Sequence, residues 1–319
     1  MGKIYAGGVP LAEVVRSGFT EGVHRGSLVV LDASGAPVFT AGDVQGPIFP
    51  RSSNKPMQAV GMLRAGLRLC DAADLAMVAA SHRGEPVHLE RVAALLRSGG
   101  LTEDALACPP DLPGGQEARE AYLAAGGTRA RIAMNCSGKH AGMLLTCLGA
   151  GWPTEGYADP GHPLQRLLVE TVAEFTGAPG EPPCGVDGCG AVVTAASLTG
   201  LATAFLRLVG AEPGSAERTV VDAMRGYPVL VSGTGEPDAV LMAGVPGALA
   251  KGGAEGVWVV AVPGAGAVAV KIDDGAHRAS VPVTAAALSR LGVEAPEGLR
   301  ETPVHGGGRR VGAVRPIAL

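Results

Sequence analysis

Aromatic side chains are nearly missing from this chain: Phe, Trp and Tyr supply 3% of 319 residues, so the core must be built from Ala, Val and Leu among 49 glycines. Positive charge is not in excess. The net charge is −4 and no Arg/Lys run is interleaved with aromatics, which excludes the electrostatic footprint of a nucleic-acid binder. Long apolar runs are also lacking. The most apolar one, residues 190–210, is broken by Ser197, Thr199, Thr203 and Arg207 and reads as a buried helix, not a membrane span. Met1-Gly2-Lys3-Ile4-Tyr5 leads into no apolar signal segment. The six cysteines (70, 108, 136, 147, 184 and 189) are scattered, so they read as thiols or metal ligands in a cytoplasmic protein.

Lysine is scarce too, and that scarcity is informative. Of 26 basic residues only Lys3, Lys55, Lys139, Lys251 and Lys271 are lysines; the other 21 are arginines. Arginine can carry surface charge but cannot lose its proton. A chain so biased should keep lysine mainly where an amine must act as a base or ligand. Three of the five lie in short polar, glycine-containing stretches.

Hydrophobic residues at 47% and charged residues at 18% give a globular chain, long enough for one large domain or two intimately joined ones. Strand signals fill the first fifty residues: Val14-Val15, then 27–32, a turn at 33–37 and a return strand at Val38-Phe39-Thr40. Helical patterns follow near 57–63, 71–80, 86–96, 116–125, 142–148, 163–175, 191–209 and 216–225. Apolar runs at 239–242, 247–251, 257–262 and 267–272 read as strands, before a last helix at 282–291 and an irregular tail. The expected architecture is α+β. One antiparallel sheet is formed by residues 1–50 and 227–319 with a packed helix, and 51–226 is an inserted, mainly helical region. A pocket is expected at the seam.

Ser52 and Lys55, in Arg51-Ser52-Ser53-Asn54-Lys55-Pro56, fall about one helical turn apart, the layout of a nucleophile with its own base. Lys55 would have to be neutral, which requires burial or a nearby cation. The plainer reading makes Ser52 an N-cap and Lys55 a solvated first-turn residue, although a cation near a helix N-terminus is mildly unfavourable. Four further stretches crowd chemistry together: Ser81-His82-Arg83-Gly84-Glu85, Asn135-Cys136-Ser137-Gly138-Lys139-His140, Asp187-Gly188-Cys189-Gly190 and Lys251-Gly252-Gly253. The first reads equally as a helix end with a C-cap glycine. Two cysteines in separate Gly-rich loops make a metal site possible, though not with the Cys-x-x-Cys spacing of structural zinc.

Taken in order, Arg-Ser-x-x-Lys-Pro, Ala-Ser-His-x-Gly-Glu, Asn-Cys-Ser-Gly-Lys-His, Gly-x-Asp-Gly-Cys-Gly and Lys-x-Gly-Ala-Glu-Gly resemble the rhizobial-type L-asparaginases, the asparaginase II family, over about residues 14–274. The resemblance implies a fold like that of serine β-lactamases, penicillin-binding proteins and glutaminases. It implies Ser52 as nucleophile with Lys55 as base, Ser81 paired with Lys251, and Asp187 orienting the lysines or the substrate. It also implies zinc held by Cys136, Lys139 and Cys189, and a homodimer. Arg51, Glu85 and His140 are candidate contacts to the substrate, L-asparagine; alternatively Arg51 and Glu85 pair with each other and His140 fixes a metal ligand. No Ser-Asp-Asn triplet is present, which argues against β-lactam turnover. Ser53 is spaced wrongly from Lys55 for a single turn. Two other classes remain, a β-lactam-recognising or other serine amidohydrolase such as a glutaminase, and a non-enzymatic zinc or thiol sensor.

Overall fold

The computed structural model describes residues 4–178 and 180–317. The chain opens with strands β1 (Val9–Arg16), β2 (Phe19–Asp32) and β3 (Pro37–Ala41). Helices α1 (Lys55–Arg64), α2 (Ala72–Val78), α3 (Pro86–Ser98), α4 (Gln116–Ala124), α5 (Ser137–Ala150) and α6 (Pro163–Thr176) follow. A small hairpin, β4 (Cys184–Val186) and β5 (Val192–Thr194), precedes α7 (Leu198–Val209), α8 (Ala216–Gly226), α9 (Pro228–Val231) and α10 (Pro237–Gly244). The chain closes with β6 (Leu249–Gly252), β7 (Val257–Val262), β8 (Gly266–Ile272), α11 (His277–Leu288), β9 (Thr302–Gly306) and β10 (Arg309–Pro316).

Eight strands make one antiparallel sheet in the order β6-β7-β8-β2-β1-β10-β9, with β3 also paired to β2. Both ends of the chain therefore build it, and the helical region is inserted between β3 and β6. Strand β7 is buried at all six positions, and in β8 only Lys271 is not, as strands covered on both faces must be. Helices α7 and α11 pack on them. Their facing residues are chiefly Ala and Val, so the layers approach closely with almost no aromatic filler; Trp258 and Phe205 are exceptions.

Four sequence readings are corrected. Residues 239–242 are not a strand but the middle of α10, whose start at Glu236-Pro237-Asp238 carries the proline that favours a first helical turn. The run 191–209 is not one helix. Val192–Thr194 completes a hairpin, and α7 begins after Ser197, whose side chain accepts from Gly200 N. The tail is not irregular, since β9 and β10 pair with each other and β10 with β1. Finally, the last helix starts at His277 and holds Pro282 inside it. The carbonyl a proline leaves free lies four residues back, and Arg278 O there accepts from Thr302 Oγ1 at 2.9 Å.

Candidate active site

Arg51–Asn54 form one turn of 3₁₀ helix that hands over directly to α1, so Ser52 and Lys55 lie on consecutive turns at the seam. The turn is fastened to the sheet from below. Ser53, completely buried, donates to Lys251 O at 3.0 Å, which explains why the second serine is structural. A side chain at Gly253 would place a Cβ 2.3 Å from Pro50 O, so only glycine lets the strand end approach this turn. Arg51 has φ +53, a left-handed conformation that costs a non-glycine residue roughly 1 kcal/mol. Its guanidinium is held at 2.6 Å by Asp187 and lies 3.7 Å from Glu255.

Lys55 is 1% exposed. Its Nζ donates to Ser81 Oγ at 2.9 Å and to Ala80 O. Among the described residues no hydrogen bond joins it to Ser52. Burial drives this amine below its usual pKa range; the Cys136 sulfur opposes, and the charges of Lys139 and Lys251 add to the lowering.

Ser81 sits in a clamped loop: Ser81 N bonds Val231 O, His82 N bonds Asn135 O and Arg83 N bonds Ser232 O. Two buried histidines lock it further. His82 Nδ1 accepts from Gly84 N, so its Nε2 carries the hydrogen and donates to Ser137 Oγ at 2.8 Å. His88 Nδ1 likewise accepts from Glu85 N, and its Nε2 donates to Val229 O. The rings stack at 5.3 Å. Burial holds both below the usual imidazole range, so they serve as neutral hydrogen-bond bridges.

Ser52, Ser81 and Lys251 line one cavity of about 260 Å³, below the ~300–1,000 Å³ of drug-sized pockets and suited to a small metabolite. Arg83, Asn135, Ser232, Glu236, Asp238, Trp258 and His277 complete its polar lining. The Ser81–Lys251 pair expected from the resemblance is not hydrogen bonded. Ser81 is joined to Lys55, and Lys251 Nζ instead donates to Asp238 Oδ2 at 3.3 Å and Gly252 O at 2.9 Å. Asp187 bonds Arg51, not a lysine, though the Lys139 charge helps that bond hold its carboxyl below the usual range against burial. Glu85 does not line this cavity and does not pair with Arg51. It caps α3, and its two oxygens accept from Thr234 N at 2.7 Å and Thr234 Oγ1 at 2.9 Å.

Behind the seam, Cys136, Lys139 and Cys189 converge. Helix α5 delivers the first two because Gly138 lets it press on α2, where a Cβ would stand 2.4 Å from Met77 O. The β4–β5 turn points Asp187 at Arg51 and buries Cys189. Lys139 Nζ donates to Cys189 Sγ at 3.1 Å. A hydrogen bond with Cys136 lowers Cys189 to about 5, while Cys136 is pushed up to about 12. His140 is buried, its Nδ1 bonded to Tyr157 OH at 2.7 Å and its Nε2 unpartnered among the described residues. It does not line the cavity. Among the described residues no three His, Cys, Asp or Glu side chains form a metal-binding group. The zinc set implied by the resemblance is of another kind: Cys136, Lys139 and Cys189 would offer a soft ion two sulfurs and an amine nitrogen.

Asp238, Ser232 and Glu236 were not singled out from sequence. Asp238 was hidden by the strand reading of the residues after it, and the Pro237 helix-start signal was the clue. Ser232 Oγ, buried and unpartnered among the described residues, offered none.

Hydroxyls and buried amines gathered round a small cavity between a sheet and a helical layer define a hydrolase site. The chain belongs to the L-asparaginase II family, whose sequence model matches residues 12–316, and is an amidohydrolase of that family. No curated protein sequence matches it. Among solved structures it is similar to a β-lactamase of Mycobacterium bovis (16% identity, TM-score 0.44, 83% of this chain and 94% of that one). It is also similar to a simvastatin synthase mutant from Aspergillus terreus (13% identity, TM-score 0.39, 83% and 87%). No helix among the described residues is long and apolar enough to cross a membrane, and all six cysteines are free thiols.

Proposed function

We propose that the protein hydrolyses L-asparagine to L-aspartate and ammonia through a serine ester. The observation that carries this reading is the buried, carboxylate-free amine of Lys55 hydrogen bonded at the edge of a cavity that Ser52 and Ser81 both line. Neutral Lys55 takes the Ser52 proton as Oγ adds to the side-chain carboxamide carbon. Ser52 N–H, in the first turn of the 3₁₀ helix and without an acceptor among the described residues, is a donor for the oxyanion. The proton held on Lys55 passes through Ser81 to the amide nitrogen, the C–N bond breaks, and ammonia leaves. Water then adds to the ester, giving its proton to Lys55 and its hydroxyl to the acyl carbon, which releases aspartate and restores Ser52.

Arg83 with Glu236, and Lys251 with Asp238, present both charge signs to a zwitterionic amino acid. Zinc bound by Cys136, Lys139 and Cys189 would supply a Lewis-acid anchor behind the seam. A homodimer belongs to the same proposal and is read by sedimentation.

One observation favours a second assignment within this chemistry: Lys55 bonds Ser81 rather than Ser52, so Ser81 could be the nucleophile. Ammonia release from asparagine, glutamine and small peptides tests the activity, and mass spectrometry of an acid-quenched turnover mixture locates the ester. Asparagine turnover with the acyl group on Ser52 is expected. An ester on Ser81 exchanges the two serines, and no ammonia from asparagine overturns the substrate.

A further inference from the structure

The cavity holds a carboxylate to which the mechanism above assigns no step. Asp238 stands in the first turn of α10, where negative charge is favoured, and its side chain is almost completely buried. It is saturated with donors. Trp258 Nε1 reaches Oδ1 at 2.6 Å, Gly252 N lies 2.9 and 3.0 Å from the two oxygens, and Lys251 Nζ lies 3.3 Å from Oδ2. A buried carboxylate with this many donors is ionised and rigid. Gly252 and Trp258 face each other across β6 and β7, so Asp238 ties the helix to the sheet at the residue pair that sets the position of Lys251.

An ammonium has three hydrogens. Those of Lys251 have two protein acceptors, Asp238 Oδ2 and Gly252 O, which leaves the third for whatever occupies the cavity. The other charged or titratable groups facing this ammonium are Lys55 from α1 and His277 from α11, with Arg83 and Glu236 across the cavity. Among the described residues Asp238 is the one carboxylate in contact with it.

We infer that Asp238 is a positioning residue that keeps Lys251 charged and aimed into the cavity, so that Lys251 acts as a fixed cation toward the substrate and not as a second base. This assignment rests on the proposed amide hydrolysis for its kinetic consequences, but the charge of Lys251 can be read without any substrate.

The test compares Asp238→Asn, Lys251→Met and the double variant, each normalised to folded protein. D238N is expected to lower kcat/KM for asparagine about 10²-fold and to move the alkaline limb of its pH–rate profile to lower pH, because the ammonium has lost its counter-charge. In the K251M background the same change should cost less than about threefold, since its effect passes through Lys251. An equal loss in both backgrounds, or an unmoved alkaline limb, overturns the inference. If the wild type releases no ammonia from asparagine, the proposed substrate fails. Carbon-13 NMR of the lysine ε-carbons in unliganded protein, with K251M for assignment, then decides. A charged Lys251 at neutral pH that loses its proton at lower pH in D238N than in the wild type supports the inference; an uncharged Lys251 in the wild type overturns it.

Discussion

Two lysines stand on opposite sides of the seam with equal burial and opposite company. Lys55, on the helical side, is 1% exposed and bonds a carbonyl and a hydroxyl, with the Cys136 sulfur nearby and no carboxylate partner among the described residues. Lys251, on the sheet side, is also 1% exposed and sits against the carboxylate of Asp238. Depth alone therefore does not decide what a buried amine does; the partner does. The first is fitted to lose its proton, and the second is held in place by a carboxylate. Lys139 sharpens the contrast. Burial works against its charge just as it does for Lys55, yet the Cys189 and Cys136 sulfurs outweigh burial and hold it above its usual range.

Removing the two amines should separate the regions most strongly. Ser52→Ala sets the scale, with a loss of at least about 10⁴-fold in ammonia release and an unchanged melting temperature. Lys55→Met should cost ~10²–10⁴-fold in kcat yet leave the protein as stable or more so, measured by thermal melting. Between the depressed folded pKa and the unfolded one the native state forgoes a proton the unfolded chain binds, and below the folded value it carries the full cost of a buried charge; methionine removes that penalty. Lys251→Met should behave oppositely in the melt, destabilising by ~3–5 kcal/mol, because Asp238 is left buried without its cation. Equal melting shifts for the two would erase the distinction.

Smaller effects test the supports. Cys189→Ser should lower zinc content, measured by elemental analysis of protein purified with zinc; unchanged zinc would remove that set from the account. Acidification tests the neutral His82 bridge. Its folded pKa is depressed, so its contribution is complete above about pH 6.5 and is lost as pH falls toward the folded value, by up to ~1.4 kcal/mol per pH unit. Melts from pH 7 to 5 should show this slope, weakened in His82→Gln. The smallest change is expected from Glu85→Gln, about 1 kcal/mol of stability through the Thr234 contacts with kcat within tenfold. A larger kinetic loss would return Glu85 to the substrate's surroundings.

The lysine census was legible because composition registers chemistry: Lys55, Lys139 and Lys251 are all buried. Its premise held only in part, since Lys139 is pushed toward its charged form. The order of sheet, helices and sheet was legible from periodicity, which flanking segments supply without long-range information. What escaped depended on partners far along the chain. Nothing near Ser81 announces that its amine neighbour is Lys55 and not Lys251. Residues 302–316, with their two prolines, three arginines and four glycines, acquire strand character only by pairing beside β1. Ala191 to Val209 looked like one helix because a short apolar run does not distinguish buried strand from buried helix.

The Ser53–Lys251 hydrogen bond joins residues 198 positions apart, and β1 finds its outer neighbour only in β10. During synthesis the ribosome delivers both serines long before the strand that bears the fixed cation. Until the last strands emerge, β1 and β2 wait with open edges, the geometry most prone to wrong pairing. Enzyme competence thus arrives only near chain completion, and any premature stop before residue 249 leaves a nucleophile with half a cavity.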